Sequence, residues 1–139
     1  MTNEWEQALL EAWWREAAQS DQKVPPPDAR TKVATPEIIQ RALNALSNST
    51  FFANVFKRAL IFDLKQVYLY FHDAAIRSEA RARVARVVGE DTRVLVGHSL
   101  GTVVAYEALC AHPDWRITTL VTLGSPLGIH NLIFEQLQH

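Results

Sequence analysis

The chain lacks the features of a disulfide-stabilised, secreted or membrane-spanning protein. Its 139 residues contain one cysteine, Cys110, so no disulfide can form within the chain. No apolar run reaches the roughly 18 residues that a membrane-spanning helix needs. The amino-terminal residues are acidic and lack the apolar core of a signal peptide. We therefore predict a cytoplasmic protein with no membrane span.

The chain also has little net charge. Fourteen basic and 15 acidic residues give −1, which favours neither nucleic acid nor an anionic membrane as a partner. A local basic run lies in a predicted helix and is predicted to face solvent; it comprises Arg77, Arg81, Arg83 and Arg86. With 48% apolar residues, the chain has enough apolar side chains for one folded core.

Glycine is scarce, yet two of the five glycines fall in one pentapeptide, Gly97-His98-Ser99-Leu100-Gly101. The short β-branched run before this G-x-S-x-G motif predicts a buried strand over residues 93–98. Apolar residues at helical spacing after it predict a helix over 100–111. Strand, sharp turn and helix are the context of a nucleophile elbow, in which the Ser99 hydroxyl would be the nucleophile.

Three residues of the predicted elbow have expected mechanical roles. Side chains two positions before and after the serine are expected to collide with the backbone of the tight turn, so Gly97 and Gly101 would relieve crowding. Ser99 is expected to adopt strained backbone angles that lift its hydroxyl out of the turn. It would then lie at the positive end of the next helix, which favours developing negative charge.

The remaining sequence predicts mainly helices. Residues 1–19 form an amphipathic helix with a stripe of Trp5, Ala8, Leu9, Ala12 and Trp13, and 20–36 form a proline-rich linker. Residues 37–139 are predicted to form a helical layer followed by the α/β core. Segment 64–71 fits a strand by propensity and a helix by periodicity, and we favour the helix. Further helices are predicted over 36–46, 51–62 and 74–88, with a break between the first two at Asn48-Ser49-Thr50. The apolar stripe of the helix over 74–88 comprises Ile76, Ala80, Val84, Val87 and Val88. A strand is predicted over 117–123 and a short helix within 129–138.

The run from Asp91 to Gly128 resembles the central portion of α/β-hydrolase-fold serine esterases and lipases. The resemblance is carried by the strand, Gly-His-Ser-Leu-Gly, the helix and then Leu-Val-Thr-Leu-Gly-Ser-Pro-Leu-Gly. It implies an α/β fold: a partial hydrolase-like β-α-β unit behind a helical N-terminal half. It also implies that Ser99 is the nucleophile and that the Leu100 N–H is one oxyanion donor. His98 matches a variable position beside the serine and not the catalytic base.

The chain departs from the family after the elbow. No His-Gly dipeptide, which often marks the loop of the second oxyanion donor, occurs before Ser99. In the family an acid and then a histidine follow the serine. The candidate acids here are Glu107, Asp114 and Glu135, and none is assigned. Of the three histidines after Ser99, His130 is the preferred base because it closely follows the second strand. These departures predict that the chain corresponds to the middle of a longer hydrolase.

The sequence thus favours a serine hydrolase that cleaves small acyl esters through an acyl-enzyme on Ser99, with no metal or organic cofactor. Thioester hydrolysis and acyl transfer use the same elbow and remain alternatives. A non-catalytic hydrolase-like fragment that serves as an association module is the alternative outside enzymes. Because two parallel strands leave two open edges, a homo-oligomer is also expected.

Overall fold

A computed structural model describes residues 3–27, 36–49 and 57–139. Its elements are helices α1 (Glu4–Ser20), α2 (Pro36–Leu46), α3 (Lys57–His72) and α4 (Ala74–Val87), strand β1 (Val94–His98), helix α5 (Leu100–Ala111), strand β2 (Thr119–Leu123) and a 3₁₀ turn at Phe134–Gln136. The fold is therefore helix-rich with a small parallel sheet, in agreement with the predicted α/β class. No helix among the described residues is long and apolar enough to cross a membrane.

The chain divides into two compact units, Met1–Tyr68 and Leu69–His139. In the first, α1 begins at a capping box: Asn3 Oδ1 accepts from the Glu6 N–H, and Glu6 Oε2 accepts from the Asn3 N–H. The predicted helix is confirmed, but its buried face differs from the predicted stripe. Ala8 is exposed, whereas Leu10 and Trp14 are buried. The larger side chains remove more apolar area from water than alanine does, which favours this face.

The first residues of the predicted linker fold back on α1. Val24 is buried, and the Trp14 indole N–H donates to the Pro25 carbonyl at 2.6 Å. Burial of a tryptophan usually requires a partner for its N–H, and the proline-rich segment supplies that partner. Residues 28–35 of the predicted linker and 50–56 of the predicted break and following helix lie outside the described residues.

Segment 64–71, whose residues suit a strand by propensity and a helix by periodicity, is helical. It forms the second half of α3, and Leu64, Val67 and Tyr70 are buried along it. Their separations of three residues place them on one side of a helix, whereas a strand would alternate them between faces. The helical prediction is confirmed, so this segment adds no strand to the sheet.

Helix α4 begins as predicted but packs through a different face. The Asp73 carboxylate caps it by accepting from the N–H groups of Ala75 and Ile76 at 2.9 and 3.1 Å. The expected apolar stripe included Ile76 and Val87, yet both are exposed, and Arg77 is buried instead. The prediction that the whole basic run faces solvent is therefore wrong for Arg77. A carboxylate on α5 draws this guanidinium inward, as described below.

The two strands form a parallel sheet in the predicted order. Val94 pairs with Thr119 and His98 with Leu123, so the ladder covers both strands end to end. The prediction that the strands are buried is wrong for one face of this sheet. Its apolar side chains stay partly exposed: Val94 49%, Val96 65%, Val121 38% and Leu123 51%. Helix α5 packs against the sheet, and strand composition cannot reveal whether a second layer covers the opposite face.

The carboxyl-terminal segment is less helical than expected. The short helix predicted within 129–138 is reduced to the three-residue 3₁₀ turn Phe134–Gln136. Self-association stays a prediction, and among the described residues each strand has a strand neighbour on one side only.

Candidate active site at the strand–helix turn

The turn between β1 and α5 holds Ser99 in an unusual backbone conformation. Ser99 has φ 51° and ψ −127°, an unfavourable region for a residue with a side chain. Among the described residues, only Ser99 and Asn131 combine a side chain with a positive φ. Strain of this kind costs on the order of 1–3 kcal/mol and persists only where surrounding contacts enforce it. The strain that the motif predicted at Ser99 is therefore present.

The two elbow glycines have different surroundings. A Cβ at Gly97 would lie 2.8 Å from Thr102 Cα and 2.9 Å from Thr102 N, so no larger residue fits there without moving the backbone. A Cβ at Gly101 would meet no atom within 4 Å. The predicted crowding is confirmed at Gly97 and wrong at Gly101. The close approach of Thr102 thus requires glycine at position 97, whereas a Cβ at position 101 has room among the described residues.

Hydrogen bonds to β2 and to helix α5 hold the Ser99 backbone. The Ser99 N–H donates to the Leu123 carbonyl at the end of β2, 2.9 Å away. The Ser99 carbonyl accepts from the Thr102 N–H at 3.0 Å. A serine before a helix usually uses its hydroxyl to cap the first turn, but the Ser99 hydroxyl makes no capping bond. The hydroxyl is therefore not consumed by the helix that it precedes.

The predicted oxyanion donor lies at the start of α5. Leu100 is the first residue of this helix, and the amides of a first turn have no carbonyl four residues earlier to bind. Together with the helix dipole, these amides make the turn a favourable place for negative charge beside Ser99. His98 is exposed at the end of β1, on the other side of the serine.

Sequence reasoning missed two hydroxyl groups that reach the elbow. Thr102 is fully buried, and its Oγ1 lies 2.7 Å from the Ser99 carbonyl oxygen. The same Oγ1 lies 2.7 Å from Ser125 Oγ, in the loop after β2. The only sequence signal was that Ser125 follows the carboxyl end of a strand parallel to the elbow strand.

His130 pairs with a carboxylate that comes after it in the chain. Its Nδ1 lies 3.0 Å from Glu135 Oε1, and the Asn131 N–H donates to the other oxygen of Glu135. The hydrogen bond from His130 lowers the pKa of the Glu135 carboxyl. An ionised carboxylate only accepts hydrogen bonds, so Nδ1 is the donor to Glu135, and in the neutral tautomer of the ring Nε2 is then the acceptor nitrogen. Within the described part of the chain, no hydrogen bond joins His130 to Ser99.

The other two histidines after Ser99 are engaged elsewhere. The His112 ring stacks on Trp115 with a centroid separation of 4.4 Å. The Nδ1 of His139 lies 3.0 Å from the Tyr106 hydroxyl. The partner of the first ring is an indole and that of the second is a hydroxyl group. Neither histidine therefore has an orienting carboxylate comparable to Glu135 beside His130.

Glu107, one of the candidate acids, belongs to a buried cluster with Tyr70 and Arg77. Its carboxylate accepts from the Tyr70 hydroxyl at 2.6 Å, from the Arg77 guanidinium, and from the Gln138 N–H at 3.0 Å. Burial alone would raise the pKa of Glu107, but the hydrogen bonds from Arg77 and Tyr70 bring it below its ordinary value. Burial, followed by the hydrogen bond to Glu107, raises the pKa of Tyr70. All these contacts are structural, so Glu107 is not free to orient a histidine.

No group of three or more His, Cys, Asp or Glu side chains in the described ranges could hold a metal ion. Comparison with models of known protein families, with curated proteins and with solved structures gives no match.

Proposed function

We propose that the protein is a serine hydrolase of carboxylic esters, with Ser99 as its nucleophile. The observation that carries the proposal is the strained backbone of Ser99 between a parallel strand and a helix, with its hydroxyl not used for capping. In the reaction, the Ser99 oxygen attacks the acyl carbon and the alcohol leaves. Water then attacks the acyl-enzyme and releases the acid. The Leu100 N–H donates to the negative oxygen of each tetrahedral intermediate.

His130 is proposed as the base that takes the Ser99 proton and returns it to the leaving alcohol. The Glu135 carboxylate supports this role because it holds the hydrogen on Nδ1 and leaves Nε2 able to accept a proton. The hydrogen bond between base and nucleophile often forms only when substrate is bound. The order is histidine and then acid, opposite to that of the family that the elbow resembles.

His130→Ala is expected to reduce kcat/KM for a p-nitrophenyl ester by on the order of 10²-fold to 10⁴-fold, because general-base catalysis contributes about that much. His112→Ala is the matched control. Its ring stacks on Trp115 and has no orienting carboxylate, so it should retain activity within about threefold. Equal activity of the two folded variants would remove His130 from the site.

A covalent probe tests the proposal as a whole. A fluorophosphonate that reacts with activated serines should label the folded chain once, and peptide mass mapping should locate the label at Ser99. The probe requires an activated hydroxyl and an oxyanion donor, so it does not depend on knowing the natural ester. An intact, folded chain without a label would contradict the proposal.

The exposed sheet face favours a second candidate, a non-catalytic association module. Val96 and Leu123 are more than half exposed on this face, and large exposed apolar patches often mark interaction sites. This candidate requires self-association in solution together with a Ser99 that no probe labels. The hydrolase proposal requires the label whether or not the chain self-associates, so the two candidates are separable.

A further inference from the structure

A chain of hydroxyl groups connects the loop after β2 to the elbow. Ser125 Oγ lies 3.2 Å from the Leu127 N–H and 2.7 Å from Thr102 Oγ1. Thr102 Oγ1 lies 2.7 Å from the carbonyl oxygen of Ser99. Thr102 is fully buried, so no bulk water competes for these bonds.

The direction of the hydrogen bonds follows from the donors and acceptors available. A carbonyl oxygen only accepts, so the single hydroxyl hydrogen of Thr102 goes to Ser99. The Ser125 hydroxyl must then donate to Thr102, and the Leu127 N–H donates to Ser125. Each hydroxyl donates one bond and accepts one. The order therefore runs from the Leu127 amide through Ser125 and Thr102 to the Ser99 carbonyl.

The last bond of this chain acts on the peptide group that contains the oxyanion donor. The Ser99 carbonyl and the Leu100 N–H belong to one planar trans peptide, so their directions are opposite and coupled. The carbonyl is held by two donors of Thr102, the N–H at 3.0 Å and Oγ1 at 2.7 Å. Fixing the carbonyl therefore fixes where the Leu100 N–H points.

We infer that Thr102 and Ser125 are positioning residues for ester hydrolysis: their hydroxyl groups aim the Leu100 N–H at the oxyanion. This inference rests on the proposed function. Neither side chain touches the substrate. They act by restricting rotation of the Ser99–Leu100 peptide, next to a serine whose ψ of −127° is not a helical value. An oxyanion donor contributes only when its direction matches the transition state, so a small rotation would weaken catalysis.

The decisive variant is Thr102→Val, which removes the hydroxyl and keeps the shape of the side chain. We expect kcat for a p-nitrophenyl ester to fall about tenfold to 100-fold, below the full loss of an oxyanion donor, with KM within about twofold. Affinity for an alkylboronic acid, which forms a tetrahedral adduct on the serine, should fall in parallel with kcat/KM. Thr102→Ser restores the hydroxyl and should return kcat to within about threefold of wild type.

Ser125→Ala provides an independent test, because its side chain is only partly buried and its loss threatens folding less. It removes the donor to Thr102 but leaves the bond from Thr102 to Ser99, so we expect a smaller fall in kcat, about threefold to tenfold. If Thr102→Val does not fold, this variant and Thr102→Ser decide the question.

Three results would overturn the inference. The first is that Thr102→Val has the same kcat and the same boronate affinity as the wild type. Another is a loss that Thr102→Ser does not restore, since the hydroxyl would then not be its cause. The third is an unchanged kcat in Ser125→Ala. If the wild-type chain neither hydrolyses esters nor is labelled at Ser99, the proposed function is wrong, and this inference is wrong with it.

Discussion

Replacing Ser99 with alanine is expected to lower kcat for p-nitrophenyl ester hydrolysis by on the order of 10⁶-fold, as loss of the nucleophile does in a well-assembled serine hydrolase. The substitution removes the only atom that would form the acyl-enzyme. It should leave stability nearly unchanged, because the Ser99 side chain makes no capping bond and alanine meets the same backbone strain. Steady-state rates and a urea unfolding curve measure the two effects on the same sample.

Ser78→Ala is the matched control for this substitution. Ser78 is an exposed residue of α4, so its loss should change neither the rate nor the stability by more than experimental scatter. Hydrolysis by Ser99→Ala at the rate of this control would show that another group is the nucleophile.

The second large effect is expected at the buried ion pair of the unit Leu69–His139. Arg77→Met should lower the free energy of unfolding by about 3–5 kcal/mol, because it leaves a fully buried Glu107 carboxylate without its guanidinium. Arg83→Met makes the same change in the same helix, where Arg83 is exposed and pairs with Glu79 at 3.2 Å. That control should cost less than about 1 kcal/mol. Urea unfolding of both variants checks the difference.

The double variant Arg77→Met with Glu107→Met tests whether the unpaired carboxylate causes the loss of stability in Arg77→Met. Removing both charges eliminates the unpaired carboxylate, so most of the lost stability should return. If Arg77→Met were as stable as the Arg83→Met control, this account of the buried ion pair would be wrong.

Acid should weaken the same cluster. The pKa of Glu107 is below its ordinary value in the folded chain, so its stabilising contribution is present above the unfolded pKa. That contribution is lost as the pH falls below the ordinary pKa of a glutamate and through the lower folded pKa of Glu107. The acid-induced loss of stability should be smaller in Glu107→Gln, in which this group does not titrate.

Local sequence signals were sufficient where neighbouring residues determine the structure. Helix α5 lies at its predicted bounds because the glycine-bracketed turn starts it and the segment before Pro113 ends it. The Asp73 cap and the strain at Ser99 follow equally from residues within one or two turns. Periodicity also separated helix from strand over 64–71, where residue propensity alone favoured a strand.

Contacts between distant residues explain the predictions that differ from the structure. Arg77 is buried because it pairs with Glu107, which lies 30 positions later in the chain. The residues near Arg77 in sequence do not indicate this contact. The exposure of one face of the sheet depends on which layers of the fold cover that face. The bond between Thr102 and Ser125 joins residues 23 positions apart.

The sequence by itself determined most of the helices and strands and the strained turn at Ser99, because backbone preference and a five-residue motif act over short distances. Only the tertiary structure decided which charges are buried, which hydroxyls hold the Ser99 carbonyl and which carboxylate orients His130. Those outcomes depend on hydrogen bonds and desolvation, whose strengths are set by the atoms that the completed fold brings within about 3 Å.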